Sequence, residues 1–146
     1  VSLNTGLRQG ELFNLGWSDV VADTIHVRAA TAKSAKSRHV PLNLEARTVL
    51  ADWRAHVPPE GYVFPGRAGG RLDNVRKAWA AVLDAAELVD FRWHDMRHHF
   101  ASKLVMAGAP LNTVRELLGH ADLKMTLRYA HLAPDHTRAA VELLDG

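Results

Sequence analysis

The chain has 146 residues, 47% of them hydrophobic and 23% charged, with a net charge of +2. This is the balance of one globular domain and excludes a disordered or fibrous chain. There is no cysteine, which excludes disulfides, thiolate metal sites and cysteine nucleophiles and fits a reducing compartment. No apolar run reaches the length of a membrane span or a signal-peptide core, so the expectation is a soluble, cytoplasmic protein with no membrane partner. The chain opens at Val1 without an initiator Met and meets a dense polar motif almost at once. The expectation is a single domain over 1–146 that belongs to something longer.

In chain order, Gln9 to Leu15 reads as a short helix carrying Leu12 and Leu15, ended by Gly16. Two β-rich runs follow, Thr24 to Arg28 and Arg38 to Leu42, flanking the small polar stretch Ala32 to Ser37. They predict a hairpin with Lys33 near its tip. From Thr24 to Leu44 there is no acidic residue, whereas Arg28, Lys33, Lys36 and Arg38 are positive, with His26 and His39 between them. Such a segment is either a solvated loop or a phosphate-contacting surface, with Lys36 and Arg38 as candidate contacts.

Asn43 predicts a cap for a helix over Leu44 to His56, with Leu44, Val49, Leu50 and Trp53 inward, stopped by Pro58 to Gly61. Asp73 predicts a second cap, before a helix with Val75, Trp79, Val82 and Leu83 on its apolar face. His94 to Ala107 places Met96, Phe100, Leu104 and Val105 on one face, with Gly108 as its stop and Pro110 opening the next helix, Leu111 to Leu118. Asp122 predicts a helix through Tyr129 to about Leu132, and Pro134 a last one over Arg138 to Leu144. The fold class that results is α+β and mostly α-helical, with a small antiparallel hairpin beside a helical bundle.

Candidate chemistry is carried by few residues. His94 and Arg97 stand three apart and share a helix face, although about one such pair is expected by chance in a chain of this composition. Arg8 and Glu11 repeat the spacing, Gly119-His120 closes a helix, and Tyr129 follows nine residues after His120. Each has a bland alternative: a tyrosine late in an amphipathic helix is usually core or rim, a histidine after glycine can serve the helix dipole, and an exposed Arg8–Glu11 pair contributes little. Five histidines between 94 and 131 could suggest zinc, but without cysteine or a His-Glu-x-x-His order no metal is assigned.

Taken in order, Thr5-Gly6-Leu7-Arg8-Gln9-Gly10-Glu11-Leu12, Lys33 before Arg38-His39-Val40-Pro41-Leu42, His94-Asp95-Met96-Arg97-His98, Leu117-Leu118-Gly119-His120 and Tyr129 resemble the tyrosine recombinase (phage integrase) family. The likeness spans nearly the whole chain and is to the C-terminal catalytic domain, without the family's preceding core-binding domain. It implies that Arg8, Lys33, His94, Arg97, His120 and Tyr129 are catalytic, with Glu11 supporting. It further implies double-stranded DNA as substrate, a homo-oligomer on DNA in the full-length protein, and no cofactor. His99 stands where many members carry Thr, and Gly16 where a larger residue is usual.

The implied chemistry needs these residue types. A phosphodiester repels nucleophiles, and its pentacovalent transition state gathers negative charge that fixed guanidinium groups stabilise. Arg8 and Arg97 supply those, His120 donates another hydrogen bond, and Tyr129, a side chain expected near the surface, attacks phosphorus to leave a 3′-phosphotyrosine. His94 is expected to accept the phenol's proton and Lys33 to protonate the leaving 5′ oxygen, with Lys36 as the competing donor. Three other readings stand beside a working recombinase: a DNA-binding module of the same fold without chemistry, a histidine-dependent metallonuclease, and a type IB topoisomerase-like activity.

Overall fold

A computed structural model describes residues 1–31, 36–135 and 141–145. Two short helices open it, α1 (Ser2–Thr5) and α2 (Gln9–Phe13), then a 3-10 turn at Trp17–Asp19. A three-stranded antiparallel sheet follows in the order β1 (Val20–Val21), β2 (Thr24–Val27), β3 (Arg38–Pro41). The rest is helical: α3 (Leu44–Arg54), α4 (Arg76–Ala85), α5 (Asp95–Met106), α6 (Leu111–Leu118) and α7 (Lys124–Leu127), with 3-10 turns at Ala130–Leu132 and Leu143–Asp145. No helix among the described residues is long and apolar enough to cross a membrane.

The sheet is a hairpin with one added strand. Ile25 pairs with Val40 and Val27 with Arg38, and strand alternation turns Ile25, Val27 and Val40 to the core. Leu12 and Phe13 of α2, Ala46 and Leu50 of α3, and Val63 from the following loop close over that face. Each fully buried Ile or Leu there contributes about 1.5–3 kcal/mol. A second, smaller cluster joins Ala101 and Val105 of α5, Val114 and Leu118 of α6, and Tyr129.

Local chemistry sets the helix ends. Asn43 Oδ1 accepts from the Ala46 amide at 2.9 Å and starts α3. α6 starts after Pro110 and stops at Gly119, whose φ of 63° is left-handed. The Gly119 amide bonds Glu116 O and the His120 amide bonds Arg115 O, both at 3.0 Å, the paired closure that fixes where the chain goes after a helix. His120 is therefore placed by the way α6 ends.

Several expectations need correction. In α3 the inward stripe is Ala46 and Leu50, while Leu44 is 71% exposed and Val49 is exposed too. Ala46 and Leu50 stand four apart on one helix face, and that face joins the buried cluster around the sheet. α4 forms but buries none of its residues, and Val82 is 55% exposed. Asp73 does not cap it: the N-cap position is Val75, which offers no side-chain cap, and Asn74 Oδ1 accepts from the Arg76 amide at 2.9 Å. The helix expected from Asp122 to Leu132 breaks in two around Arg128 and Tyr129. Of the expected last helix, residues 136–140 lie outside the described residues.

Candidate active site

Helix α6 runs only eight residues, and its last carbonyls have no intrahelical partner. Those of Arg115 and Glu116 are taken by the closing amides of His120 and Gly119. The next three each accept from a different arginine. Arg38 Nε donates to Leu117 O at 2.8 Å, Arg97 Nη2 to Leu118 O at 2.5 Å, and Arg8 Nη2 reaches Gly119 O at 3.5 Å. These arginines come from β3, α5 and the residue just before α2, so the end of α6 is where the halves of the chain are joined. Helix C-termini carry partial negative charge, which favours cations there.

One acid sits among the three cations. Glu11 accepts from Arg8 Nη1 at 2.9 Å and from Arg38 Nη1 and Nη2 at 2.9 and 2.8 Å. Its second oxygen also accepts from the Arg8 amide at 2.9 Å, which closes the first turn of α2. Burial works to raise the Glu11 pKa, but the hydrogen bonds and charge of Arg38, joined by Arg8, outweigh it and hold the carboxyl below its usual range. With three guanidinium groups against one carboxylate, the seam keeps excess positive charge.

Arg97 is 3% exposed. Besides Leu118 O it donates to Gly6 O at 2.6 Å. Burial, then the charge of Arg8, lowers its pKa to about 9, which leaves it cationic at neutral pH. The two glycines beside this seam have no room for a side chain. A Cβ on Gly6, at φ 60°, would meet the Phe100 ring, and one on Gly119 would come within 3.0 Å of the Arg38 side chain.

His120 Nδ1 lies 2.8 Å from the Thr126 hydroxyl, and Thr126 is fully buried. Burial, then the charges of Arg97, Arg8 and Arg38, pull the His120 pKa down to about 4. The ring is neutral at pH 7, and in the tautomer in which Nδ1 accepts from the Thr126 hydroxyl the ring's one proton sits on Nε2.

Tyr129 departs from the expected surface position: it is 6% exposed and belongs to the buried cluster of α5 and α6. The break between α7 and the Ala130–Leu132 turn swings its ring inward. Its phenol oxygen lies 2.5 Å from His98 Nδ1, and the Arg128 guanidinium stands 5.8 Å from its ring centre. Burial raises the phenol pKa, with Arg128 and Arg97 opposing. His94, the expected proton acceptor, is the exposed residue just before α5 and lies edge-on to His98, ring centres 4.8 Å apart.

Of the residues singled out in the sequence, Arg8, Glu11, Arg97 and His120 meet at the end of α6, and Tyr129 packs in the same cluster as Leu118. Lys33 lies outside the described residues. Lys36 is exposed on a cleft of about 220 Å³ lined also by Arg38, Arg115, Gly119 and His120. Arg38, expected to face phosphates, is turned inward with its side chain 8% exposed and spent on Glu11 and Leu117 O. Strand alternation carries that signal, since Arg38 stands two residues before the inward Val40. His98 has no role assigned by the sequence pattern, although it falls one turn after His94 on the same face.

Residues 1–136 match the phage integrase family, and the chain belongs to that family. The integrase of Salmonella phage P22 is 34% identical over 99% of this chain and 41% of its own length. Tyrosine recombinase XerC of Xanthomonas axonopodis pv. citri is 36% identical over 93% of this chain and 46% of its own length. The chain thus spans less than half of these curated relatives. Among solved structures, the catalytic domain of bacteriophage HP1 integrase superposes with a TM-score of 0.71 at 29% identity, covering 97% of this chain and 76% of that one. XerA recombinase gives 0.74 at 26% identity, covering 99% and 56%.

Proposed function

We propose that this chain is the catalytic domain of a site-specific DNA recombinase or integrase that cleaves and rejoins strands through a 3′-phosphotyrosine on Tyr129, without a metal. The observation that carries the reading is the seam at the end of α6, where three arginines, one acid and a neutral histidine converge beside a buried tyrosine. A scissile phosphate placed there would meet Arg8 and Arg97, whose guanidinium groups keep unused N–H donors after bonding the α6 carbonyls. His120 would donate its Nε2 proton to a non-bridging oxygen. Because the ring stays neutral it stabilises developing charge as a hydrogen-bond donor, without adding a cation to the seam.

Attack by Tyr129 forms the O–P bond and breaks the bond to the 5′ oxygen, which takes a proton from Lys33 or from Lys36. Glu11 fixes the pose of Arg8 and stays ionised while doing so. The relatives are named as integrases and tyrosine recombinases, and a solved XerH site-specific recombinase is bound to its difH substrate in a pre-cleavage complex. Both support DNA as the partner here, and the proposal extends to several copies of the full-length protein assembling on double-stranded DNA.

The test is incubation with a nicked suicide substrate in EDTA, followed by denaturing electrophoresis. A covalent protein–DNA band that vanishes in Tyr129→Phe is the expected result. A band that survives in Tyr129→Phe, or one abolished by EDTA, would move the protein to another mechanism. Tyr129→Phe removes one hydroxyl and keeps the ring, so DNA affinity should stay close to that of the parent.

A further inference from the structure

Resting on that reading, we propose that His98 is the group that accepts the proton from Tyr129. His98 Nδ1 lies 2.5 Å from the phenol oxygen, close enough for a base to take the proton directly with no water between them. Both partners are held. α5 is a 12-residue helix, so His98 rides on a rigid element, and Tyr129 is locked between Ala101, Val105, Val114 and Leu118. His94 lies edge-on behind the His98 ring at 4.8 Å, so the phenol meets the farther-along histidine of the pair.

The surroundings keep the His98 lone pair available. Burial comes first in holding its pKa below the ordinary histidine value, followed by the charges of Arg128 from the end of α7, of His94 just before α5 and of Arg97 on it, with Asp95 opposing. In the tautomer with its proton on Nε2, the neutral ring offers the Nδ1 lone pair to the phenol O–H across this contact. In the forward step the Tyr129 O–H bond breaks, its proton passes to Nδ1, and the electron pair left on oxygen forms the bond to phosphorus. The P–O5′ pair leaves with the 5′ oxygen, which takes a proton from the lysine. On rejoining, the imidazolium of His98 returns its proton to the phenol oxygen, so no co-reactant is consumed.

The experiment is single-turnover cleavage of the suicide substrate across pH for the parent, His98→Asn, His98→Ala, His94→Ala and Tyr129→Phe. Asparagine at 98 can still accept a hydrogen bond from the phenol and cannot keep its proton. The expected result is that both His98 variants cleave about 100-fold more slowly at neutral pH, the lower end of what a positioned base contributes. The fall in rate toward acid pH should vanish with them and persist in His94→Ala, and DNA affinity should be unchanged. Should His98→Ala fail to fold, His98→Asn carries the test. A His98→Asn variant at the parent's rate would reduce the residue to positioning and overturn the proposal. So would an acid limb that disappears in His94→Ala and stays in the His98 variants. A covalent band in Tyr129→Phe would instead overturn the recombinase reading itself.

Discussion

The core between the sheet, α2 and α3 is apolar throughout: Ile25, Val27, Val40, Leu12, Phe13 and Leu50 face one another and none carries chemistry. The cluster of α5 and α6 is smaller and admits a phenol, because Tyr129 supplies one of its five buried side chains. The candidate functional groups are drawn from both regions and gather at neither centre. They meet where α6 stops, since a helix end is the one place in a packed interior that presents unpaired carbonyls to cations. The first region thus acts as a frame that holds Arg8, Glu11 and Arg38, and the second as the mount for Arg97, His120 and Tyr129.

The largest expected effect comes from breaking the ion pair by which the frame holds its own side of the seam. Glu11 and Arg38 have side chains only 2% and 8% exposed and meet in a two-pronged pair. Removing one partner strands a buried charge, so Glu11→Ala or Arg38→Met should each cost about 3–5 kcal/mol in chemical denaturation. The double mutant should fall short of the sum by about 0.5–3 kcal/mol, because the second change removes the charge that the first had stranded. Strict additivity would show that Glu11 and Arg38 do not act as a pair within the frame.

Next come matched truncations, one on each side. Ile25→Ala and Leu118→Ala each remove a fully buried branched side chain and should destabilise by about 2–5 kcal/mol. Their effects on cleavage should part. Leu118 lies in the cluster that holds Tyr129 and its carbonyl receives Arg97, so Leu118→Ala should slow strand cleavage under conditions where it remains folded. Ile25→Ala should leave the folded enzyme's rate near that of the parent. Equal rate losses would erase the distinction between frame and mount.

Acid separates the regions in another way. His94, His98 and His120 all belong to the mount, and their pKa values are lowered in the fold, His120 to about 4 from an ordinary 6.5. A group depressed in the native state binds its proton first in the unfolded chain, so it favours unfolding as pH falls from 6.5 toward 4 and adds nothing further below that. Stability measured by denaturant should therefore decline between pH 7 and pH 5. His120→Gln should flatten part of that decline, and an unchanged slope would show that burial of this ring is not coupled to folding.

How much of this is legible in the chain depends on the range of the signal. α6 is delimited by Pro110 and Gly119 to the residue, because proline and glycine act through their own backbone. Strands β2 and β3 and helix α5 follow from alternation and helical spacing, which are also local. α1, four residues long, has too few positions to show a period. Alternation with Val40 turns Arg38 inward but does not name Leu117 O as its partner, and the inward turn of Tyr129 depends on the break after α7. Spacing groups Arg8 with Glu11, and His94 with Arg97, but says nothing of the helix end at which they are gathered.

The smallest expected effect tests how the mount orients a single ring. Thr126 is fully buried, and its hydroxyl lies 2.8 Å from His120 Nδ1. Thr126→Val keeps the volume and removes the donor, which leaves Nδ1 without that hydrogen bond and costs about 1–3 kcal/mol of stability. The consequence for chemistry is separate. Without the hydroxyl nothing at that position favours the tautomer with its proton on Nε2, and the ring spends part of its time unable to donate toward a phosphate oxygen. Thr126→Ser should restore both stability and cleavage, whereas Thr126→Val should lose rate even where it is fully folded. Comparing single-turnover rates at matched fractions folded would expose the difference, and equal rates for valine and serine would show that His120 is oriented by something other than Thr126.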